Sequence, residues 1–245
     1  MEKIVGILGG MGPLATADFL RKLVECTPAR TDQEHIPVVV YSVPQIPDRS
    51  DAIMQRGPSP LAALLHGAEV LRRAGAGCLA IPCNTAHFWA DQVTDGSALP
   101  VLHIADAVVR ELAATSPPGA TVGILGTAGT LAAGIYQQRL QRHGWRTATP
   151  SADEIERLLM PGIRAVKRGD LAGGGRLLAA AAGALQARGA SRLILACTEI
   201  PPALAAVDAA GLPPRIDATA CLAAACVAWW QNGDPPAATT PALLG

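Results

Sequence analysis

The chain repeats itself, and this repeat constrains the fold more than any other feature of the sequence. The segment VGILG occupies residues 5–9 and returns at residues 122–126, which is 117 positions later. A second apolar segment, preceded by a Gly-Ala pair, leads to Cys83 in the first half and to Cys197 in the second half, 114 positions later. Because the two spacings agree within three residues, the sequence predicts two similar units, each with a strand that ends at a cysteine.

Short β-branched runs alternate with Ala- and Leu-rich stretches of helical period in both halves. The predicted strands are residues 3–8, 38–41, 78–82, 121–125 and 192–196, and the predicted helices are residues 15–25, 61–73, 131–143, 155–167 and 177–188. This alternation is typical of an α/β fold with parallel sheets. The chain has only four tryptophans, two tyrosines and two phenylalanines, so aliphatic side chains must fill the layers between helices and sheet.

A Pro- and Gly-containing break at residues 112–121 separates the two copies. We expect an N-terminal α/β lobe formed by residues 1–102 plus 212–232 and a C-terminal α/β lobe formed by residues 103–211. A pseudo-twofold axis would relate the lobes, with the active site between them. Residues 233–245, rich in Pro, Ala and Thr, are expected to form a tail without chemistry.

Composition excludes several classes of function. Lys+Arg 20 balance Asp+Glu 20, so no basic excess is present to bind nucleic acid. The longest apolar run, residues 220–230, is well short of the roughly 18 residues that span a bilayer. The six cysteines lack zinc-site spacing and no signal peptide precedes them, which predicts reduced thiols, a cytoplasmic protein and no metal.

The strand-end cysteines suggest a reaction. Ligands of open parallel sheets bind beyond the carboxyl ends of the strands, where Cys83 and Cys197 are predicted to lie. Inversion of a stereocentre by proton transfer requires a base on one face and an acid on the other, and a thiolate and a thiol form such a pair. The competing interpretation is that a cysteine fills the core. We expect the other four cysteines to fill the core in this way: Cys26, Cys78, Cys221 and Cys226.

Polar residues follow both cysteines directly: Asn84, Thr85, Thr198 and Glu199. They could offer amides and oxygens to a carboxylate or an ammonium group, or they could cap helices. The segment GTAGT at residues 126–130, with Thr127 and Thr130, predicts a small nest for an anion or an ordinary turn.

A dinucleotide-binding fingerprint, GxGxxA, is also present at residues 10–15, with Asp32 about 20 residues further on. However, Asp32 lies in a polar stretch before the next predicted strand, where it would not hold a ribose. A dehydrogenase would also leave the paired cysteines without a role, so this is the weaker hypothesis.

Four motifs resemble the aspartate racemases of the cofactor-independent aspartate/glutamate racemase superfamily, and the similarity runs from about residue 3 to residue 217. The motifs are GILGGMGPLATA at residues 6–17, PQIPDR at 44–49, PCNTAH at 82–87 and CTE at 197–199. The glutamate racemases open with Asp-Ser-Gly and carry Cys-Thr-His at the second cysteine, so the aspartate branch fits better.

The resemblance implies a homodimer of two-lobed subunits that interconverts L- and D-aspartate, or glutamate, with neither metal nor pyridoxal phosphate. Cys83 and Cys197 would be the two acid/base residues. Arg49 would bind the side-chain carboxylate, and Lys167 would be a second cationic contact, with Arg164 and Arg168 as its competitors. Further substrate contacts would come from Met11, Gln45, Asn84, Thr85, Thr127, Thr130, Thr198 and Glu199.

One departure leaves the substrate range open. Family members often place asparagines before the PQIPDR-like segment, whereas this chain has Tyr41, Ser42 and Val43. Alternative functions are another reaction of the superfamily, such as that of a hydantoin racemase or a maleate isomerase, and a non-catalytic amino-acid sensor. His87, four residues after Cys83, would either help to hold the thiolate or play a structural part.

Overall fold

The structure is a computed structural model that describes residues 3–233. The predicted tail therefore lies outside the described residues, apart from Gly233. The described chain forms two compact units, one of residues 3–107 and 219–233 and the other of residues 108–218. The chain passes between them five and seven residues beyond the positions expected from the sequence. The first crossing lies inside a helix and the second at the start of another.

The first unit contains a parallel sheet with the order β2-β1-β3. Its strands are β1 (Val5–Gly9), β2 (Val38–Ser42) and β3 (Cys78–Ala80). An isolated parallel bridge from Leu79 to Val101 extends the sheet beyond β3. Strand β1 is buried throughout, whereas the edge strand β2 alternates between exposed and half-buried residues.

Helices follow the strands of this unit. They are α1 (Pro13–Cys26), α2 (Arg49–Ile53), α3 (Leu61–Arg73) and α4 (Ala90–Ser97), with short 3-10 turns at Asp32–Glu34 and Thr85–Trp89. Helix α5 (Ile104–Thr115) begins in this unit and continues into the second. Pro13 occupies the first turn of α1, where its missing N–H leaves no intrahelical bond unmade. Helix α3 packs across β1 and β2 through Leu64, Ala68 and Leu71, which are completely buried.

The second unit contains a parallel sheet with the order β5-β4-β6-β7. Its strands are β4 (Thr121–Gly126), β5 (Arg146–Ala148), β6 (Arg192–Ala196) and β7 (Arg215–Asp217). Its helices are α6 (Ala128–Ala132), α7 (Gln137–Arg142), α8 (Ala152–Glu154), α9 (Met160–Lys167), α10 (Leu171–Ala187) and α11 (Ile200–Ala205), and a π-helical turn, Ile155–Leu159, joins α8 to α9. The last helix, α12 (Ala218–Asn232), belongs almost entirely to the first unit.

The predicted α/β class with two parallel sheets is confirmed, and the strand at residues 192–196 is found as expected. In the first sheet the bridge at Val101 lies beside β3, just as β7 lies beside β6 in the second sheet. With this bridge counted as a strand, the two sheets have the same strand order. The single helix predicted for residues 131–143 is wrong, because Gly134 adopts a left-handed φ of 65° and separates α6 from α7. No helix among residues 3–233 is long and apolar enough to cross a membrane.

Candidate active site

The loop between β1 and α1 is held in one conformation. Gly10 has a φ of 96°, and a Cβ atom there would lie 2.4 Å from backbone atoms of Val43. The amide of Gly10 donates a hydrogen bond of 2.9 Å to the hydroxyl of Thr16, which donates in turn to the carbonyl of Gly12 at 3.1 Å. This arrangement places Met11 in the buried cluster that also contains Cys83.

The same loop carries the dinucleotide fingerprint. Asp32 lies in the exposed 3-10 turn before β2, not at the carboxyl end of that strand. The acidic residue is therefore in the wrong place for a ribose, as the sequence indicates.

Cys83 lies three residues beyond the end of β3 and is 6% exposed. Its amide donates to the carbonyl of Ile81 at 2.7 Å. Asn84 and Thr85 come next, and both are buried where the 3-10 turn begins. The loop and the turn thus bring a thiol and two polar side chains to the carboxyl edge of the first sheet.

His87 supports the backbone of this loop. Its Nδ1 donates a hydrogen bond of 3.0 Å to the carbonyl oxygen of Cys83, and its ring meets that of His103 edge to face with centroids 4.8 Å apart. This contact joins His87 to the main chain of Cys83, which favours the structural interpretation. Sequence reasoning missed His103, because nothing in its local pattern shows that α5 begins beside the turn that carries His87.

Arg49 begins α2, which packs against the 3-10 turn after Cys83. Its Nη1 donates to the carbonyl oxygens of Ile46 and Pro47 at 3.1 and 3.0 Å. Its Nε is buried and has no hydrogen-bond partner in the described part of the chain. A buried guanidinium N–H without an acceptor is costly, and an anionic ligand is a group that could satisfy it. Gln45, four residues earlier, is exposed, and no hydrogen bond described for residues 3–233 joins its side chain to Arg49.

Cys197 directly follows β6 in the second unit and is 5% exposed. Its Sγ donates a hydrogen bond of 3.0 Å to Oε2 of Glu199, and the hydroxyl of Thr198 donates to the same oxygen at 2.9 Å. Burial raises the pKa of the Cys197 thiol well above its ordinary value, and the nearby carboxylate of Glu199 raises that pKa further.

Lys167, at the end of α9, completes this group. Its Nζ lies 3.9 Å from Oε1 of Glu199. Among the three cations that compete in sequence, Lys167 is thus the one that the structure places beside Glu199, although all three are exposed at the same helix end. Sequence reasoning assigned Glu199 to the substrate and did not foresee its bond to the thiol. The spacing of two residues between Cys197 and Glu199 is the signal that could have indicated it.

Thr127 and Thr130 lie at the adjacent strand end. Gly126, the last residue of β4, pairs with Ala196, the last residue of β6, so Thr127 and Cys197 leave neighbouring strands at one edge. The hydroxyl of Thr127 caps α6 by accepting from the amide of Thr130 at 3.2 Å, and the two hydroxyls are 3.0 Å apart. Capping therefore accounts for the Thr127 oxygen in this structure.

Each unit thus gathers its own share of the predicted residues. The first brings together Met11, Cys83, Asn84, Thr85 and the helix that begins with Arg49; the second brings together Thr127, Thr130, Lys167, Cys197, Thr198 and Glu199. Within residues 3–233, no group of three or more His, Cys, Asp or Glu side chains could hold a metal ion. All six cysteines are free thiols.

Comparisons with known proteins point to one family. The family described as Asp/Glu/Hydantoin racemase matches residues 8–226. The chain is 28% identical over 228 residues to the broad specificity amino-acid racemase RacX of Bacillus subtilis (strain 168), a match that covers 91% of this chain and 96% of the relative.

Solved structures share the fold. The aspartate racemase of Picrophilus torridus is similar with a TM-score of 0.79 and 31% identity, covering 94% of each chain. A glutamate racemase from Francisella tularensis in complex with D-glutamate has a TM-score of 0.64 at 16% identity, covering 91% of this chain and 78% of that one. The second similarity concerns the fold alone.

Proposed function

The chain belongs to the Asp/Glu/Hydantoin racemase family, and from this premise we propose that it interconverts the L and D enantiomers of aspartate, or glutamate, by proton transfer between two cysteines without a cofactor. The observation that carries the proposal is the pair of nearly buried thiols, Cys83 and Cys197, one in each unit and each just beyond a strand of a parallel sheet. The match to an aspartate racemase structure supports the acidic substrate.

Substrate binding would begin with the side-chain carboxylate. The Arg49 guanidinium is held by two main-chain carbonyls and keeps its buried Nε for an acceptor, so a carboxylate can bind it without first displacing another partner. Lys167 would add a second positive charge. The α-carboxylate and α-amino group would meet the polar side chains that follow the strands: Asn84, Thr85, Thr127, Thr130 and Thr198.

Racemisation would then require one thiolate to remove the α-proton while the other thiol supplies a proton to the opposite face of the same carbon. Removal of this proton is difficult, because the α-carbon of an amino acid is far less acidic than a thiol. Fixed positions and hydrogen bonds to the developing enediolate must supply the difference in free energy. When the product leaves, the two cysteines have exchanged their protonation states.

Two observations bear on the substrate range. The curated relative is a racemase of broad specificity, and Tyr41, Ser42 and Val43 stand where related sequences often have asparagines. A homodimer and a cytoplasmic location also belong to the proposal; the free state of all six cysteines supports a reducing environment.

Proton NMR in heavy water tests this function directly. We expect deuterium to replace the α-proton of L- and D-aspartate, and of glutamate if it is accepted, with loss of optical activity and without any added cofactor. Absence of exchange with all four compounds would contradict the proposal and direct the search to hydantoins, maleate and a sensor role.

A further inference from the structure

We propose that Glu199 is a positioning residue that keeps the proton on Cys197 in the free enzyme, so that Cys197 enters the reaction as the acid and Cys83 as the base. This inference rests on the proposed function and deepens it, since the similarity to racemases leaves open which cysteine is ionised.

The first argument is geometric. The carboxylate of Glu199 faces the protein, where Oε2 accepts from both the Cys197 thiol and the Thr198 hydroxyl. The Glu199 side chain is 12% exposed, so little of it is open to another partner. A carboxylate oxygen accepts hydrogen bonds and does not donate them, so the proton in the contact between Cys197 and Glu199 is the one that the thiol donates.

The second argument concerns charge. Among the described residues, the charged groups that act on Cys197 are Glu199 and Lys167. The thiol also belongs to a buried apolar cluster with Ile163 and Val166. A Cys197 thiolate would be a second negative charge beside Glu199. Lys167 is half exposed and 3.9 Å away from Glu199, so it offsets this repulsion only in part.

The consequence is an asymmetry between the two directions of the reaction. The free enzyme would be ready for the enantiomer whose α-proton faces Cys83. After one turnover Cys83 holds a proton and Cys197 is a thiolate next to a carboxylate, which is the less stable form. A proton must then pass from Cys83 to Cys197, through solvent, before the same enantiomer is used again.

The test is the pH profile of alkylation by iodoacetamide in Glu199→Gln, measured for each cysteine by peptide mass spectrometry without substrate. Glutamine keeps the shape and an acceptor oxygen but removes the charge. We expect the midpoint of Cys197 alkylation to fall by at least about one pH unit, while the Cys83 midpoint stays unchanged. The pH midpoints of alkylation are compared, and not the alkylation rates at one pH. A thiolate of lower pKa is also a weaker nucleophile, so the rate alone would not report the pKa.

Glu156→Gln is the matched control, since it removes an exposed carboxylate from the same unit and should leave both midpoints unchanged. An unchanged or higher Cys197 midpoint in Glu199→Gln would overturn the inference and return Glu199 to substrate binding alone. Since alkylation needs no turnover, this result is independent of whether racemisation is found.

A second measurement covers the case in which Glu199→Gln does not fold. Thiolate absorbance is titrated in wild type, Cys83→Ser and Cys197→Ser. Each variant lacks the absorbance step of the cysteine that it replaces. The step missing from Cys83→Ser should lie at lower pH than the step missing from Cys197→Ser. The reverse order would refute the assignment.

Discussion

The two cysteines occupy corresponding places in the two units but have different surroundings. Cys83 lies three residues beyond its strand, and His87 donates to its main-chain carbonyl. Cys197 follows its strand at once, and its sulfur donates to a carboxylate. A repeated fold therefore supplies two thiols at corresponding strand ends, while the residues that follow each strand give the thiols different surroundings.

The loops beside these cysteines differ in the same way. The loop after β1 depends on a left-handed glycine and on the buried hydroxyl of Thr16. The loop after β4 is a helix cap made by Thr127. The first is fixed by tertiary contact with Val43, whereas the second is fixed by hydrogen bonds within four residues.

The largest expected effect comes from removing either thiol. Cys83→Ser and Cys197→Ser should each lower the racemisation rate by about 10³-fold or more, because a hydroxyl cannot serve as acid or base in this range. Polarimetry measures the rate, and circular dichroism checks the fold. Cys26→Ser, at an exposed thiol, is the control with normal activity. Wild-type activity in either of the first two variants would remove the two-base mechanism.

Gly10→Ala probes the tertiary contact of the first loop. We expect a loss of about 3 kcal/mol in the free energy of unfolding, because alanine is strained at this φ and its Cβ would meet the backbone of Val43. Urea denaturation measures the loss. Gly12→Ala is the matched comparison, since a Cβ there meets nothing within 4 Å, and it should change stability by less than half as much. Equal effects would show that the contact with Val43 is unimportant.

Arg49→Lys tests the anion site of the first unit. Lysine cannot reproduce the guanidinium fork, so kcat/KM for aspartate should fall by about 10²-fold, mainly through KM. Steady-state kinetics measures the change. Arg56→Lys, at an exposed arginine just after α2, should behave as wild type. A similar loss in both variants would argue against a specific role for Arg49.

Lys167→Met makes the corresponding test in the second unit and should have a smaller effect. Lys167 is half exposed, so we expect KM to rise by about tenfold, equivalent to about 1.4 kcal/mol. Arg164→Met and Arg168→Met distinguish the three candidate cations and should leave KM near its original value. A tenfold rise in either of them instead would move the contact to that arginine.

The smallest expected effect is a gradual fall in the free energy of unfolding as the pH rises into the alkaline range. The pKa of the Cys197 thiol is raised in the folded state, so above about pH 8.5 the unfolded chain loses its proton first. Stability should therefore fall with rising pH, by up to about 1.4 kcal/mol per pH unit for this thiol. Burial also raises the pKa of Cys78 and Cys226 in the first unit. Urea unfolding under reducing conditions measures the free energy of unfolding at each pH, and its decrease with pH should be shallower in Cys197→Ala. An unchanged pH dependence would show that the Cys197 thiol is not its cause.

Local patterns predicted much of the fold. Strands and most helices were recognisable because their periodicity reflects one buried face, and the repeat showed that two sheets exist. Helix α10 begins six residues before its predicted start, because Gly173, Gly174 and Gly175 disfavour a helix in isolation. In the folded chain Asp170 caps this segment, and the glycines allow close packing; a Cβ on Gly175 would lie 2.4 Å from the carbonyl of Ala203.

The sequence by itself determined the α/β class and the position of a cysteine at the end of a strand in each half, since both follow from spacing along the chain. Only the tertiary structure decided that Glu199 accepts from Cys197, that Lys167 is the cation beside it, and that Gly10 lies against Val43. The physical reason is that side-chain hydrogen bonds and close contacts depend on ångström-scale packing between separate elements. Hydrophobic periodicity specifies which faces are buried, but it does not specify those distances.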